Sequence, residues 1–89
     1  NAEKDVVSDS RKQYEQQKEK ERQRKRLLKQ ISDYEQQIEK LEEELKVIEN
    51  QMNSGNAASD VFTKYAEKKK ELDNVVSRWE EAIEQSSED

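Results

Sequence analysis

From Leu27 onward the apolar residues of this chain return at alternating steps of four and three: Leu27, Ile31, Tyr34, Ile38, Leu41, Leu45, Ile48 and Met52. The mean step of ~3.5 residues keeps one seam of a helix turned toward a partner helix. With Ile31, Ile38, Leu45 and Met52 at heptad position a, the residues Leu27, Tyr34, Leu41 and Ile48 fall at d. Glu, Gln and Lys fill most of the positions between, and these favour helix and suit a solvated face. The pattern predicts a coiled-coil helix over 31–53.

The pattern breaks at "NSGNAASD", residues 53–60. Gly55 can adopt the left-handed conformation that closes a helix, with Asn53 and Asn56 as weaker candidates, and Ser59 or Asp60 can cap the helix that follows. A hairpin loop over 54–60 is expected, then a second coiled-coil helix over 61–85. Its seam reads Phe62, Tyr65, Lys69, Leu72, Val76, Trp79 and Ile83, with Lys69 the polar exception. In an antiparallel pair each a residue faces a d residue, so the numbers of facing residues have a constant sum. A sum of 117 pairs Met52 with Tyr65, Leu45 with Leu72, Leu41 with Val76 and Ile38 with Trp79, with Ala66, Val75 and Ala82 flanking the seam. Lys69 then packs its stem while its ammonium reaches water, near Glu44 or Glu49.

The fold class expected is all-α: an antiparallel two-helix coiled-coil hairpin with an extended basic N-terminal helix segment. In this register Ile31 faces Ser86, so the first helix outruns the second and residues before about 28 project alone. A basic helical segment is expected over 10–30, with Ser10 and Gln13 as a weak capping box. Residues 1–9 are expected as a disordered linker and 86–89 as a disordered tail. Leu27, Leu28 and Ile31 would be left partly bare, which a weak dimer would cover, although two seams joined by one loop favour a monomer.

Composition narrows the class. The chain has 89 residues, 44% of them charged and 29% hydrophobic, with one Gly and no Pro, as long-helix proteins have. Absence of Cys and His removes disulfides, thiolate and imidazole catalysis and the usual zinc ligands. The fragment is therefore expected to be non-catalytic and to hold no cofactor. No apolar run is long enough to span a bilayer and no leader pattern opens the chain, so a cytoplasmic protein without membrane contact is expected. The chain opens on Asn1 and not on Met, as a piece of a longer protein would.

Charge changes the picture most. The net charge is -5, yet residues 11–30 hold nine Lys and Arg against three Glu, while residues 31–89 hold sixteen acidic against seven basic residues. At ~100° per residue, Arg11, Lys18, Arg22, Lys25 and Lys29 fall within an arc of about 60°, with Tyr14 at its edge and Leu27 and Ile31 on the opposite side. The row is about 27 Å long at ~1.5 Å per residue. Such a stripe suits a phosphate backbone, which Lys and Arg neutralise without reading sequence, and Tyr14 can stack on a base. Arg11, Tyr14, Lys18, Arg22, Arg24, Lys25, Arg26 and Lys29 are the candidate nucleic-acid contacts. A solvated charged face, a nuclear localisation signal or an acidic protein surface would use the same residues. Glu42, Glu43 and Glu44 spread around their helix and form no metal cage, and Lys68 to Lys70 are the same with opposite sign.

Three short strings resemble the C-terminal domain of ATP-binding-cassette F-subfamily proteins, the Uup-like branch included. They are "YEQQ" at Tyr14 to Gln17, "IEKLE" at Ile38 to Glu42 and "RWEE" at Arg78 to Glu81, within a likeness over roughly residues 10–85. Two departures stand out: no Pro separates the basic segment from the first long helix, and Ala82-Ile83 stands where the family usually has Leu. The resemblance implies a soluble parent ATPase, with ATP and Mg held by upstream domains. It also implies association with the ribosome and translation, and a hairpin that binds DNA or ribosomal RNA. The alternative is a protein-interaction or spacer coiled coil without nucleic acid.

Overall fold

The computed structural model describes residues 2–55 and 58–88, with side chains described from Asp9 onward. Two helices account for almost all of it: α1 spans Ala2–Asn53 and α2 spans Ser59–Glu88. They fold back on each other as an antiparallel hairpin within an envelope of 82 × 18 × 14 Å. A helix of 52 residues is about 78 Å long at ~1.5 Å per residue, so α1 alone sets the length of the molecule. Nothing interrupts it, because no Gly or Pro lies between Ala2 and Asn53.

The basic segment is thus continuous with the first coiled-coil helix, as the missing Pro allows. The helix also begins earlier than expected: the stretch 1–9, read from sequence as a linker, is helical from Ala2 on. Likewise α2 runs through Glu88 where a frayed tail was expected over 86–89, and it begins at Ser59, which shortens the expected loop. Asn1, Asn56, Ala57 and Asp89 lie outside the described residues, and with Asn56 goes one of the weaker cap candidates.

The turn is made as the sequence suggests. The Ser54 amide still donates to the Asn50 carbonyl at 3.0 Å and the Ser54 hydroxyl donates to the Gln51 carbonyl at 2.8 Å, which satisfies two of the groups a helix end leaves free. Gly55 then takes φ of 77°, in the left-handed region. A Cβ built there meets nothing within 4 Å, so the position needs Gly for its dihedral angle and not for room. Asp60 sits in the first turn of α2, where a carboxylate complements the helix dipole, and pairs with Lys64 at 3.6 Å.

Burial corrects the second seam. On α1 the expected residues face inward: Ile31, Leu41 and Leu45 are buried, and Leu27, Tyr34, Ile38, Ile48 and Met52 are half-buried. On α2 the inward row is Val61, Tyr65, Lys68, Leu72, Val75, Trp79, Ala82 and Ser86. Phe62, Lys69 and Ile83, expected in the seam, are exposed instead, and Val76 stands half-buried at its side. Tyr65, Leu72 and Trp79 belong to both rows, so the helix is rotated by only part of a turn. The sum of facing residues moves from 117 to 113, which carries every seam residue just named from Met52 opposite Val61 to Leu27 opposite Ser86. Two cross-helix contacts bracket that value, Lys68 with Glu44 and Tyr65 with Glu49.

Loop length gives the physical reason. A sum of 117 centres the hairpin between residues 58 and 59, where α2 is already starting, whereas helix ends at Asn53 and Ser59 centre it at 56. The short turn closed by Gly55 outweighs the larger side chains of the rejected row. Small Ala82 opposite Ile31 also lets the helices approach, and both are buried. The core itself is slim: Leu41, Leu45, Leu72 and Val75 form its centre, with Tyr34, Ile38, Tyr65 and Val76 packed around them. Pairing therefore extends one turn further toward the N-terminus than expected, and Ile31 and Leu27 are covered within the hairpin; Leu28 stays exposed.

Candidate nucleic-acid interface

The last residues of α2 lie beside Gln23, Arg26, Leu27 and Gln30 of α1. N-terminal to that point α1 has no partner helix, and from Asp9 to Arg26 every residue is exposed. The reason is written in the seam positions themselves. Carrying the heptad back from Leu27 gives Arg24, Lys20, Gln17 and Gln13, none of which gains by burial. Between Asp9 and Arg26 the arm has no apolar seam to offer a partner helix.

All eight candidate contacts lie on this solvent-exposed arm or just past its base: Arg11, Tyr14, Lys18, Arg22, Arg24, Lys25, Arg26 and Lys29 are exposed. They do not form one surface. Lys18, Arg22 and Lys25 line a shared hollow with Glu21, in the middle of the outer stripe. The Lys18 ammonium sits 5.1 Å from the Tyr14 ring centroid, a cation–π geometry that joins the aromatic to the stripe. Arg22 reaches Glu19 at 3.8 Å, and the same carboxylate accepts from Gln23 at 3.5 Å, both contacts fully in water and easily exchanged.

Arg24 and Arg26 stand apart from that stripe. By helical rotation Arg24 continues the seam side beyond the end of α2. Arg26 lines the hollow formed with Gln85 and Glu88, at the C-terminal end of α2. The last turn of α2 contains no basic residue of its own, and Arg26 of α1 is the cation that lines the hollow at this end. Ser86 and Ser87 add hydroxyl donors to the Ile83 and Glu84 carbonyls at 2.7 and 2.9 Å. The sequence alone gave no hint of this placement of Arg26, because it depends on where α2 ends in the corrected register.

Away from the arm, the polar seam residue is Lys68 and not Lys69. Its ammonium lies 2.6 Å from a Glu44 carboxylate oxygen, across the hairpin from Leu45. The hydrogen bond from Lys68 holds the Glu44 carboxyl below its usual range against some desolvation, and the Glu44 hydrogen bond likewise raises Lys68 above the usual ammonium range. Glu49, the other candidate, accepts from the Tyr65 hydroxyl at 3.4 Å. Glu42 and Glu43 point to solvent while Glu44 turns to Lys68, so the acidic run diverges, and no metal-holding group occurs among the described residues. Nor is any described helix long and apolar enough to cross a membrane. No family model, no curated protein and no solved structure matches the chain.

Proposed function

We propose that the chain is a nucleic-acid-binding accessory hairpin, acting on DNA or ribosomal RNA, of a cytoplasmic, translation-associated ATPase of the ATP-binding-cassette F-subfamily. The observation that carries the reading is the unpartnered arm, a rigid helical continuation of the hairpin whose outer face aligns Arg11, Lys18, Arg22, Lys25 and Lys29. A helix presenting cations along about 27 Å, with no apolar face to satisfy, fits a polyanion laid along it. The continuous α1 helix holds the arm out beyond the acidic hairpin.

The subfamily part rests on the three short strings, of which "YEQQ" lies on the arm and the other two lie in the hairpin. Ile38 and Leu41 of "IEKLE" and Trp79 of "RWEE" are packing residues at the interface between the helices. The chemistry of the parent, with ATP and Mg, would belong to upstream domains, and the hairpin would contribute binding alone.

Binding to duplex DNA and to structured RNA at several salt concentrations tests the reading. If five stripe residues each neutralise a phosphate, log affinity falls against log salt with a slope of about -4.5. Reversing Lys18, Arg22 and Lys25 to Glu removes most of that slope and most of the affinity. Binding that survives the triple reversal unchanged refutes it.

A further inference from the structure

The row that the corrected register turns out of the core is not scattered over the surface. Phe62, Lys69, Val76 and Ile83 recur every seven residues on α2, at the heptad position that borders the seam on one side. In an antiparallel pair the same position of α1 lies across from it, and there stand Leu28, Glu35, Glu42 and Glu49. The grooves along this edge agree: Glu35, Ile38 and Glu42 line one with Val76 and Trp79, and Glu42, Glu49 and Leu45 line the next with Lys69 and Leu72. Three of the four large apolar side chains exposed among the described residues of the hairpin lie on this one edge, Leu28 at 53%, Phe62 at 56% and Ile83 at 39%. The opposite edge of α2 carries Lys64, Glu71, Arg78 and Gln85, so the asymmetry is complete.

A two-stranded coil needs only its a and d rows apolar. A third apolar row beside the seam widens the face to the stripe a helix presents when two neighbours pack on it. We propose that the groove along this edge docks a third helix, from a protein partner, whose own apolar row is flanked by Lys and Arg. The commitment to a basic partner follows from charge: residues 31–53 hold seven acidic and two basic residues, and Glu35, Glu39, Glu42, Glu43 and Glu49 line the grooves against two cations, Lys46 and Lys69. A second copy of this hairpin would bring the same carboxylates against them. The basic arm of a second copy matches in charge, yet between Asp9 and Arg26 it offers Tyr14 as its one large apolar side chain and leaves Val76, Trp79 and Ile83 uncovered. From Leu28 to Glu49 the groove is about 32 Å long, room for a helix of six turns. The site lies on the paired body and is independent of what the arm binds.

Trp79 is the single tryptophan of the chain and half-buried in this groove, so it reports occupancy directly. The probe is a designed helical peptide of three heptads with Leu at its a and d positions and Lys at the flanking positions. Its counterpart has Glu at the flanking positions, and a third peptide copies residues 11–30 of this chain. The lysine peptide is expected to shift Trp79 emission and to bind at least about tenfold more tightly than the other two. The triple variant Leu28→Ser, Phe62→Ser and Ile83→Ser changes exposed residues only, so its helicity should be retained while affinity falls at least about tenfold. Equal binding of the lysine and glutamate peptides, or an unaffected triple variant, overturns the proposal. So does sedimentation showing that the chain alone dimerises and that the triple variant does not, since the groove would then be a self-association face.

Discussion

Lys68 shows how one residue can be polar, half-buried and stabilising at once. Its alkyl stem occupies a seam layer opposite Leu45 while its ammonium reaches Glu44 at 2.6 Å. Both partners keep about a third of their side-chain surface in water, so the pair gains less than a fully enclosed one and forfeits little solvation. Glu44 favours folding at pH above the ordinary carboxylate range and loses that contribution as pH falls through its lowered value. Lys68 favours folding below the ordinary ammonium range and loses its share as pH rises through its raised value. Replacing Lys68 by Met should return Glu44 to an ordinary titration midpoint, read from its carboxyl carbon by NMR, and should lower stability at neutral pH but not in acid. Gly55 makes a second residue-level test. Because φ is 77° and no neighbour crowds the site, Gly55→Ala should cost about 1–2 kcal/mol in a denaturant titration, and Gly55→Asn clearly less.

At the level of the helices, most of the fold was legible and the register was not. The α1 seam could be read because its neighbours are mostly charged or amide residues, with Leu28 and Val47 the isolated apolar exceptions. On α2 two rows one residue apart, Phe62/Lys69/Val76/Ile83 and Val61/Lys68/Val75/Ala82, each complete a three–four pattern with Tyr65, Leu72 and Trp79. Side-chain bulk favours the first row and turn length the second, and the second faces inward, with Val75 and Ala82 buried and Val61 and Lys68 half-buried. A signal was present in the sequence, since a helix closed at Gly55 leaves no chain for a loop centred near residue 58. The candidate interface was legible as a stripe of charge, whereas the placement of Arg26 beside the end of α2 needed the fold. Paired cysteines can test the register in a chain that has none of its own. Cysteines at positions 31 and 82, which face each other in the register of 113, should oxidise to a disulfide rapidly, since such a bond requires Cα atoms within ~7 Å. Those at 31 and 86 are offset by one turn, about 6 Å along the axis, and should close much more slowly. The reverse order of rates would restore the sum of 117.

Across the whole molecule, the two ends are held together by different physics. Residues 27–86 form a slim hairpin stabilised by its apolar seam, and from Asp9 to Arg26 every residue of the arm before them is exposed, with only Gln23 and Arg26 at its base beside the end of α2. An isolated helix of that length is marginal in water, because nucleation is costly while each added residue gains little. Here the nucleus already exists, since the paired part of α1 presents a formed turn on which the arm only has to propagate. The arm should therefore be helical but fast to exchange its amide hydrogens, with protection rising steeply near Leu27. Attraction between the basic arm and the acidic body does not fold the arm back, because the continuous helix keeps most of those charges more than a Debye length of ~10 Å apart. Removal of residues 1–21 should then separate the two roles. Thermal unfolding of the remaining hairpin should change by less than about 0.5 kcal/mol, as expected for loss of exposed residues, while affinity for duplex DNA or RNA should fall by at least about tenfold. A large loss of stability on truncation would mean that the arm packs against the body in solution. The stripe would then be a structural element, and its cations would be unavailable to a phosphate backbone.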